Sequence, residues 1–500
     1  MDSSERIFAL RNLFSKKPST ELFQDILQLF RNCAEEDVQL ELQYALEHIK
    51  EWPSYIQKNP PEDWSFKTDA QSAAMLFITK LYTTPQISEE TLQACADSPT
   101  IRHLEAVGNV GRLHISNAVW SDFLLSPHLQ NLKELTLTYL DFSADELKPL
   151  LESDGLSGLI KLCLDNNRLT DSEFALLANA SSLNKLERLF LQGNNIKGRD
   201  FGSFAQSEIC QSLKLLCLAD NELNCDALMS LAKSPYLRAL EELHLHGNHI
   251  KGRGVEALAR SPICGNLRTL EFGDSDQNDS FYLYHKETNS IGKRGAIAIA
   301  NSPYLKKLQG LDLLGNGVED EGAAALLNSK VYPDLLRMML RRNHLTAKLF
   351  DSVETLEHFP RLRTLDLSEN EVGIPGLSAL LKTPNLPPIW QVMLVRNQIT
   401  DKDLETLLTF ECPRVPDELY LDENDITDAG LLILTESPIC KEIECLSLGR
   451  TKVTGEGVLR LNLYELFPKM GTFFLDGIVC FDEEQKALEE KFSEIEFYFG

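Results

Sequence analysis

The chain has 500 residues, of which 43% are hydrophobic and 25% are charged. That hydrophobic fraction is sufficient for a large buried core, which excludes a disordered or fibrous protein. Its 75 acidic residues outnumber its 49 lysines and arginines, which gives a formal net charge of −26. Because a negative field repels phosphates, this charge argues against binding to nucleic acid or to anionic membranes.

The sequence predicts no export and no membrane span. The first residues, MDSSERIFALRNLFSKK, place charges on both sides of a short apolar stretch and contain no small-residue cleavage site. No window approaches the roughly 18 apolar residues that a transmembrane helix needs. The 11 cysteines are scattered without CxxC pairs, which is typical of free thiols in a reducing compartment and predicts a cytoplasmic protein.

A short motif recurs along most of the chain. Residues 159–169 read LIKLCLDNNRL, which is the pattern LxxLxLxxNxL. The same frame returns at a step of 27 residues, with one interruption, and about 13 copies cover close to three quarters of the chain. The copies begin at Leu132, Leu159, Leu186, Leu213, Leu240, Leu267, Leu308, Leu335, Leu362, Ile389, Pro416, Ile443 and Met470.

Each copy predicts one strand followed by one helix. Apolar residues such as Leu189 and Leu191 alternate with other positions, as in a strand with one buried face. The stretch GVEALARSP at 254–262 has apolar residues at helical spacing and ends at Ser-Pro, where proline stops the helix. A recurrent asparagine after the strand predicts a ladder of amide hydrogen bonds along the stack. That asparagine position is filled by Asn167, Asn194, Asn221, Asn248, Asn316, Asn343, Asn370, Asn397 and Asn424, and elsewhere by Leu140, Ser275, Thr451 and Ile478.

The repeat resembles the leucine-rich-repeat family, because spacing and residue type agree many times over. The unit of 27 residues with a helix is most similar to the ribonuclease-inhibitor-like class, and helices of the form ALAxSPxL are similar to those of bacterial members. The resemblance implies an α/β fold, a right-handed solenoid or horseshoe. It also implies that a parallel β-sheet lines the concave face and that helices cover the convex face.

The two ends depart from the repeat and predict three regions. Residues 1–100 show helical spacing in STELFQDILQLFRNC, in EEDVQLELQYALEHIKEW and near residues 70–81, which predicts an α-helical N-terminal cap or a separate domain. Residues 101–478 hold the repeats. Residues 479–500 begin with an acidic amphipathic stretch, which predicts a capping helix at the C-terminus.

One repeat is interrupted by an insertion at 276–289. Alignment of Asn289 with Asn248 shows about 14 extra residues, which include Tyr282 and Tyr284. Insertions in a solenoid emerge as loops on one face, often the binding face. The insertion is therefore either part of a binding surface or a flap that packs on its own chain.

Residues beside the buried leucines of each strand define the predicted concave face. Aromatic residues and methionine among charges of both signs are typical of a protein-binding surface. The predicted partner-binding residues are Phe190, His244, His246, Tyr282, Tyr284, Arg337, Met339, Arg341, Arg342, Met393, Arg396 and Tyr420.

Two clusters within that set have competing interpretations. The arginines at 337, 341, 342 and 396 either dock an acidic partner segment or form cross-strand ion pairs with Asp366 and Glu369. His244 and His246, with Cys217 and Glu271 on the adjacent strands, contain ligand types that zinc accepts. No CxxC or HExxH motif accompanies them, so we predict no metal and no cofactor.

We predict a non-catalytic protein-interaction scaffold that binds a protein partner on its concave face. No nucleophile elbow, glycine-rich phosphate loop or HExxH motif is present in the sequence. The resemblance to bacterial repeats suggests an effector that acts inside a host cell. One alternative is a regulator similar to Ran GTPase-activating proteins, with Arg341 or Arg396 supplied to a partner's active site. Another alternative is an F-box-like ubiquitin-ligase adaptor, based on the stretch PSTELFQDILQLF at 18–30.

Overall fold

A computed structural model describes residues 3–14, 16–30, 38–49, 80–83, 89–109, 115–199, 201–273, 289–387, 389–408 and 414–499. The chain divides into two compact units, Met1–Asn221 and Glu222–Gly500. Each unit repeats a short strand, a turn and a helix, and every paired strand is parallel to its neighbours in chain order. This confirms the predicted α/β solenoid. Among the described residues, no helix is long and apolar enough to cross a bilayer.

Six strands form the sheet of the first unit. Its α-helices are Ser3–Phe14, Thr20–Phe30, Gln39–Ile49, Glu89–Ala96, Asn117–Leu124, Ala144–Leu151, Asp171–Ala178 and Phe201–Ala205. Its strands are β1 (Lys80–Thr83), β2 (Ala106–Asn109), β3 (Glu134–Thr136), β4 (Lys161–Cys163), β5 (Arg188–Phe190) and β6 (Leu215–Cys217).

Ten strands form the sheet of the second unit. Its α-helices are Cys225–Leu231, Gly252–Ala259, Gly292–Ala300, Glu319–Leu327, Gly373–Lys382, Asp401–Leu404, Asp428–Thr435, Gly455–Leu459, Leu463–Leu466 and Asp482–Lys491. Its strands are β7 (Glu242–His244), β8 (Thr269–Glu271), β9 (Gly310–Asp312), β10 (Arg337–Met339), β11 (Thr364–Asp366), β12 (Gln391–Met393), β13 (Glu418–Tyr420), β14 (Cys445–Ser447), β15 (Thr472–Phe474) and β16 (Glu496–Tyr498).

The leucine pattern fixes which face of each strand is buried. In β10, Met338 is fully buried, whereas Arg337 is exposed and Met339 is half-buried. The same alternation places Leu159, Leu162 and Leu164 in the core. Burial of a leucine-sized side chain contributes about 1.5–3 kcal/mol, so the repeated leucines supply much of the driving force for stacking. The 13 predicted repeats supply strands β3 to β15.

The buried asparagines form the predicted ladder between repeats. Oδ1 of Asn343 accepts hydrogen bonds from the backbone N–H groups of Asn316 (3.1 Å) and Val318 (3.0 Å) in the preceding repeat. Its Nδ2 donates to the carbonyls of Leu313 (2.8 Å) and Arg341 (3.0 Å). One side chain therefore bonds to four backbone groups, of which the carbonyl of Arg341 also accepts from the N–H of Gly315 at 2.9 Å.

The interrupted repeat corrects one assignment in this ladder. The sequence analysis placed Ser275 at the asparagine position, but Asn289 takes that place. Its Oδ1 accepts from the N–H of Ile250 at 2.9 Å, and its Nδ2 donates to the carbonyls of Leu245 at 2.8 Å and Phe272 at 3.0 Å. The extra residues lie between strand β8 and the ladder residue, so counting at the fixed step from Leu267 selected Ser275, which directly precedes them.

The ends of the repeat region differ from the predicted boundaries. Strand β1 lies within residues 1–100 and pairs in register with β2, so the parallel pairing begins before the predicted start of the repeats at residue 101. Most of the helix predicted near 70–81 lies outside the described residues. At the other end, the predicted helix at Asp482–Lys491 is followed by β16, which pairs with β15. The capping roles of residues 1–100 and 479–500 stay predictions.

Neighbouring helices are joined by hydrogen bonds between an aspartate on one helix and a threonine at the start of the next, an arrangement that we call the Asp–Thr clasp. The carboxylate of Asp428 accepts hydrogen bonds from the backbone N–H and the hydroxyl of Thr454 in the next repeat, at 2.7 and 2.8 Å. Gly457 lies against it, because a Cβ there would come within 2.1 Å of Asp428 Oδ1. The same clasp joins Asp401 to Thr427.

The ladder predicts a large local loss of stability for Asn343→Ala. Alanine leaves buried backbone donors and acceptors without partners, so we expect the opening free energy of this turn to fall by about 3 kcal/mol. Hydrogen exchange at the amides of Asn316 and Val318 should then accelerate by roughly a hundredfold. The control is Asn301→Ala, which removes an exposed amide that bonds only within its own helix, to the carbonyl of Ile297. Equal protection in the two variants would contradict the role of the ladder.

Candidate functional site

The candidate site is the open face of the second unit's sheet, which we define as the first and third residues of strands β7 to β16 and the turn residues that directly follow them. These side chains flank the buried central residue of each strand. The parallel pairing places equivalent residues side by side, as in Met339 beside Asp366 and Met393 beside Tyr420. Residues at one position of the repeat therefore form a row across the sheet.

Arginines and glutamates alternate across the turns that follow strands β10 to β14; four of them share one position of the repeat, and Arg341 lies at the position before it. We call the five residues Arg341, Glu369, Arg396, Glu423 and Arg450 the charge ladder. Glu369 Oε1 lies 2.6 Å from Nη2 of Arg341 and 3.5 Å from Nη1 of Arg396. Glu423 Oε2 lies 2.6 Å from Nε of Arg396, and its Oε1 lies 3.4 Å from Nη1 of Arg450. Each glutamate thus bridges two arginines on either side of it.

The charge ladder contains the cross-strand ion pairs of one interpretation of the arginine cluster, whereas docking of an acidic partner segment stays a prediction. Arg341 and Arg396 form cross-strand ion pairs, and their partner is Glu369. Burial of Glu369 raises the pKa of its carboxyl, but the hydrogen bond and charge of Arg341, followed by Arg396 and Arg342, lower that pKa below its ordinary value. The other predicted carboxylate, Asp366, is buried and accepts a hydrogen bond from the backbone of Ser368 instead.

A histidine–glutamate cluster lies at β7 and β8. Nδ1 of His244 is hydrogen-bonded to the carboxylate of Glu271, and its Nε2 lies 3.5 Å from Glu242. Nδ1 of His246 lies 3.9 Å from the same Glu271 oxygen. Burial works against the charged imidazole, but the hydrogen bonds and charges of Glu271 and Glu242 together raise the pKa of His244 above its ordinary value. Within the described ranges, no three ligating side chains are arranged to hold a metal ion.

Three aromatic residues continue the open face towards the end of the sheet. The rings of Tyr420 and Phe474 are stacked with centroids 6.2 Å apart, and those of Phe474 and Tyr498 with centroids 4.7 Å apart. Tyr498 is 41% exposed. The hydroxyl of Tyr420 donates to Glu418 at 3.1 Å. These aromatic rings and the methionines at 339 and 393 form the apolar part of the surface.

The remaining predicted residues lie outside these clusters. Phe190 is on β5 in the first unit, where Lys161 Nζ lies 5.4 Å from its ring centroid. Arg337 is exposed on β10, and its charge helps to lower the pKa of Glu271. Tyr282 and Tyr284 in the insertion lie outside the described residues. The role of each of these residues in partner binding stays a prediction.

The sequence analysis missed several residues of this surface. Tyr498 was missed because β16 follows β15 by 24 residues and lacks the leucine frame. Trp390, which lies just before β12 and so outside the open face as defined, was also missed; it is 50% exposed, and Arg363 Cζ lies 3.9 Å from its ring centroid. The role of Glu423 in the charge ladder could have been found, since residues 342, 369, 396, 423 and 450 alternate in charge at a step of 27.

Three stretches of the chain, 236–259, 304–327 and 360–381, match the family model described as Leucine Rich repeat. Each match covers a helix of the second unit that packs behind the open face. The chain is a leucine-rich-repeat protein. Its membership of the ribonuclease-inhibitor-like class with 27-residue repeats stays a prediction, as does its bacterial type.

Relatives of this leucine-rich-repeat protein include one curated protein and several solved structures. The chain is 32% identical over 165 residues to NACHT, LRR and PYD domains-containing protein 3 of Macaca mulatta, a match that covers 31% of this chain and 16% of that protein. An internalin of Listeria monocytogenes is similar with a TM-score of 0.41 and 16% identity, over 71% of this chain and 93% of that one.

Two further solved structures are similar at the same level. A leucine-rich-repeat protein of Leptospira interrogans has a TM-score of 0.38 and 18% identity, over 81% of this chain and 92% of its own. A chain of the yeast Rad7 and Elc1 complex has a TM-score of 0.41 and 15% identity, over 84% of this chain and 88% of its own.

The pKa of His244 gives a prediction that NMR can check. We expect its imidazole to titrate above the ordinary value of about 6.5 and the variant Glu271→Gln to move that titration down. Because the pKa is raised in the folded protein, the stabilisation by His244 is complete below the ordinary value and is lost as the pH rises through the raised one. The signal of His128, in the other unit, provides the control. A His244 titration that is unchanged in Glu271→Gln would contradict the assignment.

The charge ladder predicts a measurable coupling between Arg341 and Glu369. A double-mutant cycle with Arg341→Ala and Glu369→Ala should give about 0.5–1 kcal/mol, because both groups are partly buried and share two hydrogen bonds. The coupling should decrease in high salt. The exposed pair Lys469–Glu442 provides a control cycle and should give a value near zero. Equal couplings in the two cycles would show that the charge ladder does not differ from an ordinary surface pair.

Proposed function

We propose that this leucine-rich-repeat protein is a non-catalytic scaffold that binds a protein partner on the open face of its second unit. The leucine-rich-repeat fold supports a role in protein interaction. The observation that carries the proposal is the row of Met339, Met393, Tyr420, Phe474 and Tyr498 across strands β10 to β16. Apolar and aromatic side chains of this kind, surrounded by charged groups, form the centre of many protein interfaces.

The size of the open face also supports the proposal. Ten parallel strands at about 4.8 Å spacing extend over roughly 43 Å, which is sufficient for an interface of standard size. The charge ladder borders the apolar row on the side where the strands end. Since its arginines already bind glutamates, we expect it to hold the surface in one geometry and to contribute less to affinity than the apolar row.

The proposal extends to location and biological role. The nine cysteines of the described residues are all free thiols, which supports a cytoplasmic setting. The resemblance of the repeat to bacterial members supports an effector that acts inside a host cell. No contact in the described structure favours the regulator or the F-box-like adaptor. The two arginines that the regulator would supply, Arg341 and Arg396, are both engaged with Glu369.

Capture of a partner with matched variants tests the proposal. We expect Met339→Glu and Tyr420→Ala each to weaken capture of the same protein at least tenfold, since both disrupt the apolar row. Leu432→Glu, on the helix Asp428–Thr435, changes a residue that is 52% exposed away from the sheet and should leave capture unchanged. Circular dichroism and thermal melting establish that all three variants fold. Undiminished capture by both open-face variants would contradict the proposal.

A further inference from the structure

Strand β14 forms the floor of a narrow depression on the open face. Ser447 lies in register between Tyr420 on β13 and Phe474 on β15. Ser447 is only 2% exposed although it belongs to the open face, because its larger neighbours overhang it. Two residues further along the chain, Gly449 lies between Asp422 and Asp476. We call this depression the β14 trough, with Ser447 and Gly449 as its floor and the other four residues as its walls.

The first part of the trough is aromatic. Tyr420 and Phe474 lean towards each other across the serine, with ring centroids 6.2 Å apart and an angle of 29° between their planes. Phe474 also stacks on Tyr498 at 4.7 Å, which holds its ring in place from the other side. The faces of aromatic rings carry a partial negative charge and attract cations.

The second part of the trough is acidic. Asp422 Oδ1 accepts hydrogen bonds from the hydroxyl of Ser447 at 2.5 Å and the N–H of Gly449 at 3.0 Å. Its Oδ2 is buried, and within the described part of the chain no group donates a hydrogen bond to it. A Cβ at position 449 would lie 2.6 Å from Asp422 Oδ1 and 3.1 Å from the carbonyl of Asp476, so the close approach of the two walls requires glycine.

The two acidic residues act on each other without a balancing cation. Burial is the main cause that raises the pKa of the Asp422 carboxyl, and the negative charge of Asp476 raises it further. In the ranges that the structure describes, neither carboxylate pairs with a lysine or arginine, and the guanidinium of nearby Arg450 binds Glu423. A partly buried carboxylate beside a second negative charge is costly, which favours a cation placed next to the pair.

Most charged groups on the surrounding face are negative, like the two aspartates of the trough. On the open face from β13 to β16, Arg450 is accompanied by several carboxylates, which belong to Glu418, Asp422, Glu423, Asp476 and Glu496. The end of the face that carries the aromatic residues is therefore negative, in a chain whose net charge is −26. Its electrostatic complement is a cationic group with a planar surface.

We propose that the β14 trough binds the side chain of an arginine from the protein partner. The guanidinium stacks on the rings of Tyr420 and Phe474 and donates hydrogen bonds to the carboxylates of Asp422 and Asp476. Arginine fits better than lysine, because its planar group combines stacking with a fork of donors, whereas an ammonium is a compact and strongly hydrated charge. This inference rests on the proposed function and names the chemistry of the partner.

Ligand-observed saturation-transfer NMR with the full chain tests the inference. The probe is the peptide acetyl-Gly-Gly-Arg-Gly-Gly-amide, compared with peptides that carry citrulline or lysine at the central position. Citrulline keeps the shape of arginine but has no charge. We expect saturation transfer to the arginine methylenes, at least tenfold weaker binding of the citrulline peptide, and weaker binding of the lysine peptide. Equal binding of all three peptides, or of the lysine and arginine peptides, would overturn the assignment.

Matched variants locate the binding within the trough. Phe474→Leu keeps apolar volume but removes the aromatic face, and Asp476→Asn keeps shape but removes the charge. We expect each to weaken binding of the arginine peptide at least fivefold. Asp425→Asn removes one negative charge from the same repeat as Asp422, at a residue that pairs with Lys452, and should leave peptide binding unchanged. Equal losses in all three variants would indicate general electrostatic attraction and would overturn the site.

The outcomes separate this inference from the proposed function. If partner capture is lost in Met339→Glu but the arginine peptide does not bind the wild-type chain, the scaffold proposal stands and the trough assignment fails. If the peptide binds and the trough variants weaken it, while capture is unaffected by every open-face variant, the trough recognises arginine but the captured partner does not use it, and the proposed function fails.

Discussion

The structure depends on how backbone groups are satisfied at the turn that follows each strand. A strand of three residues forms few backbone hydrogen bonds with its neighbouring strands, and the turn after it carries N–H and carbonyl groups into the core. The asparagine found in most repeats supplies partners for the preceding repeat, as Asn343 does for Asn316 and Val318. Since an unpaired buried group costs about 1–3 kcal/mol, this amide stabilises the stack wherever it occurs, although the repeats with Leu140, Thr451 and Ile478 at its position also pair in register.

Register in turn determines the chemistry of the open face. Because each strand aligns residue for residue with the next, side chains at one position contact their equivalents on the neighbouring repeats. Four residues of the charge ladder, Glu369, Arg396, Glu423 and Arg450, show the effect at the position before the asparagine slot, where the backbone has positive φ in every repeat with a described turn. Gly247 and Gly315 take this position easily, whereas Glu369 and Arg396 hold φ values of 50° and 51°. A non-glycine residue there costs about 1 kcal/mol, which the ion pairs between neighbouring repeats offset.

The fold was predictable from the sequence because the same pattern of buried leucines and a turn asparagine recurs in most repeats. Leucines at 159, 162 and 164 and the asparagine at 167 predict one buried strand face and one capped turn, and both are observed. Strands β1 and β16 were not predictable in this way. These two strands, Lys80–Thr83 and Glu496–Tyr498, form the same parallel pairing with their neighbours, although their sequences lack the leucine frame. In these end strands, pairing with one neighbour outweighs the local pattern.

The candidate site was predictable only as a set of rows, since the sequence shows which residues share a face but not which of them are already bound. The arginines at 341 and 396 are conspicuous in an acidic sequence, yet their charges are balanced by Glu369 and Glu423. Asp422 is not conspicuous in the sequence, because a single aspartate after a strand is common. Its buried Oδ2 becomes informative only when the register places Gly449 and Asp476 beside it. On this surface the proposal of an arginine site therefore rests on a carboxylate that lacks a cation, and not on the cluster of arginines that the sequence makes conspicuous.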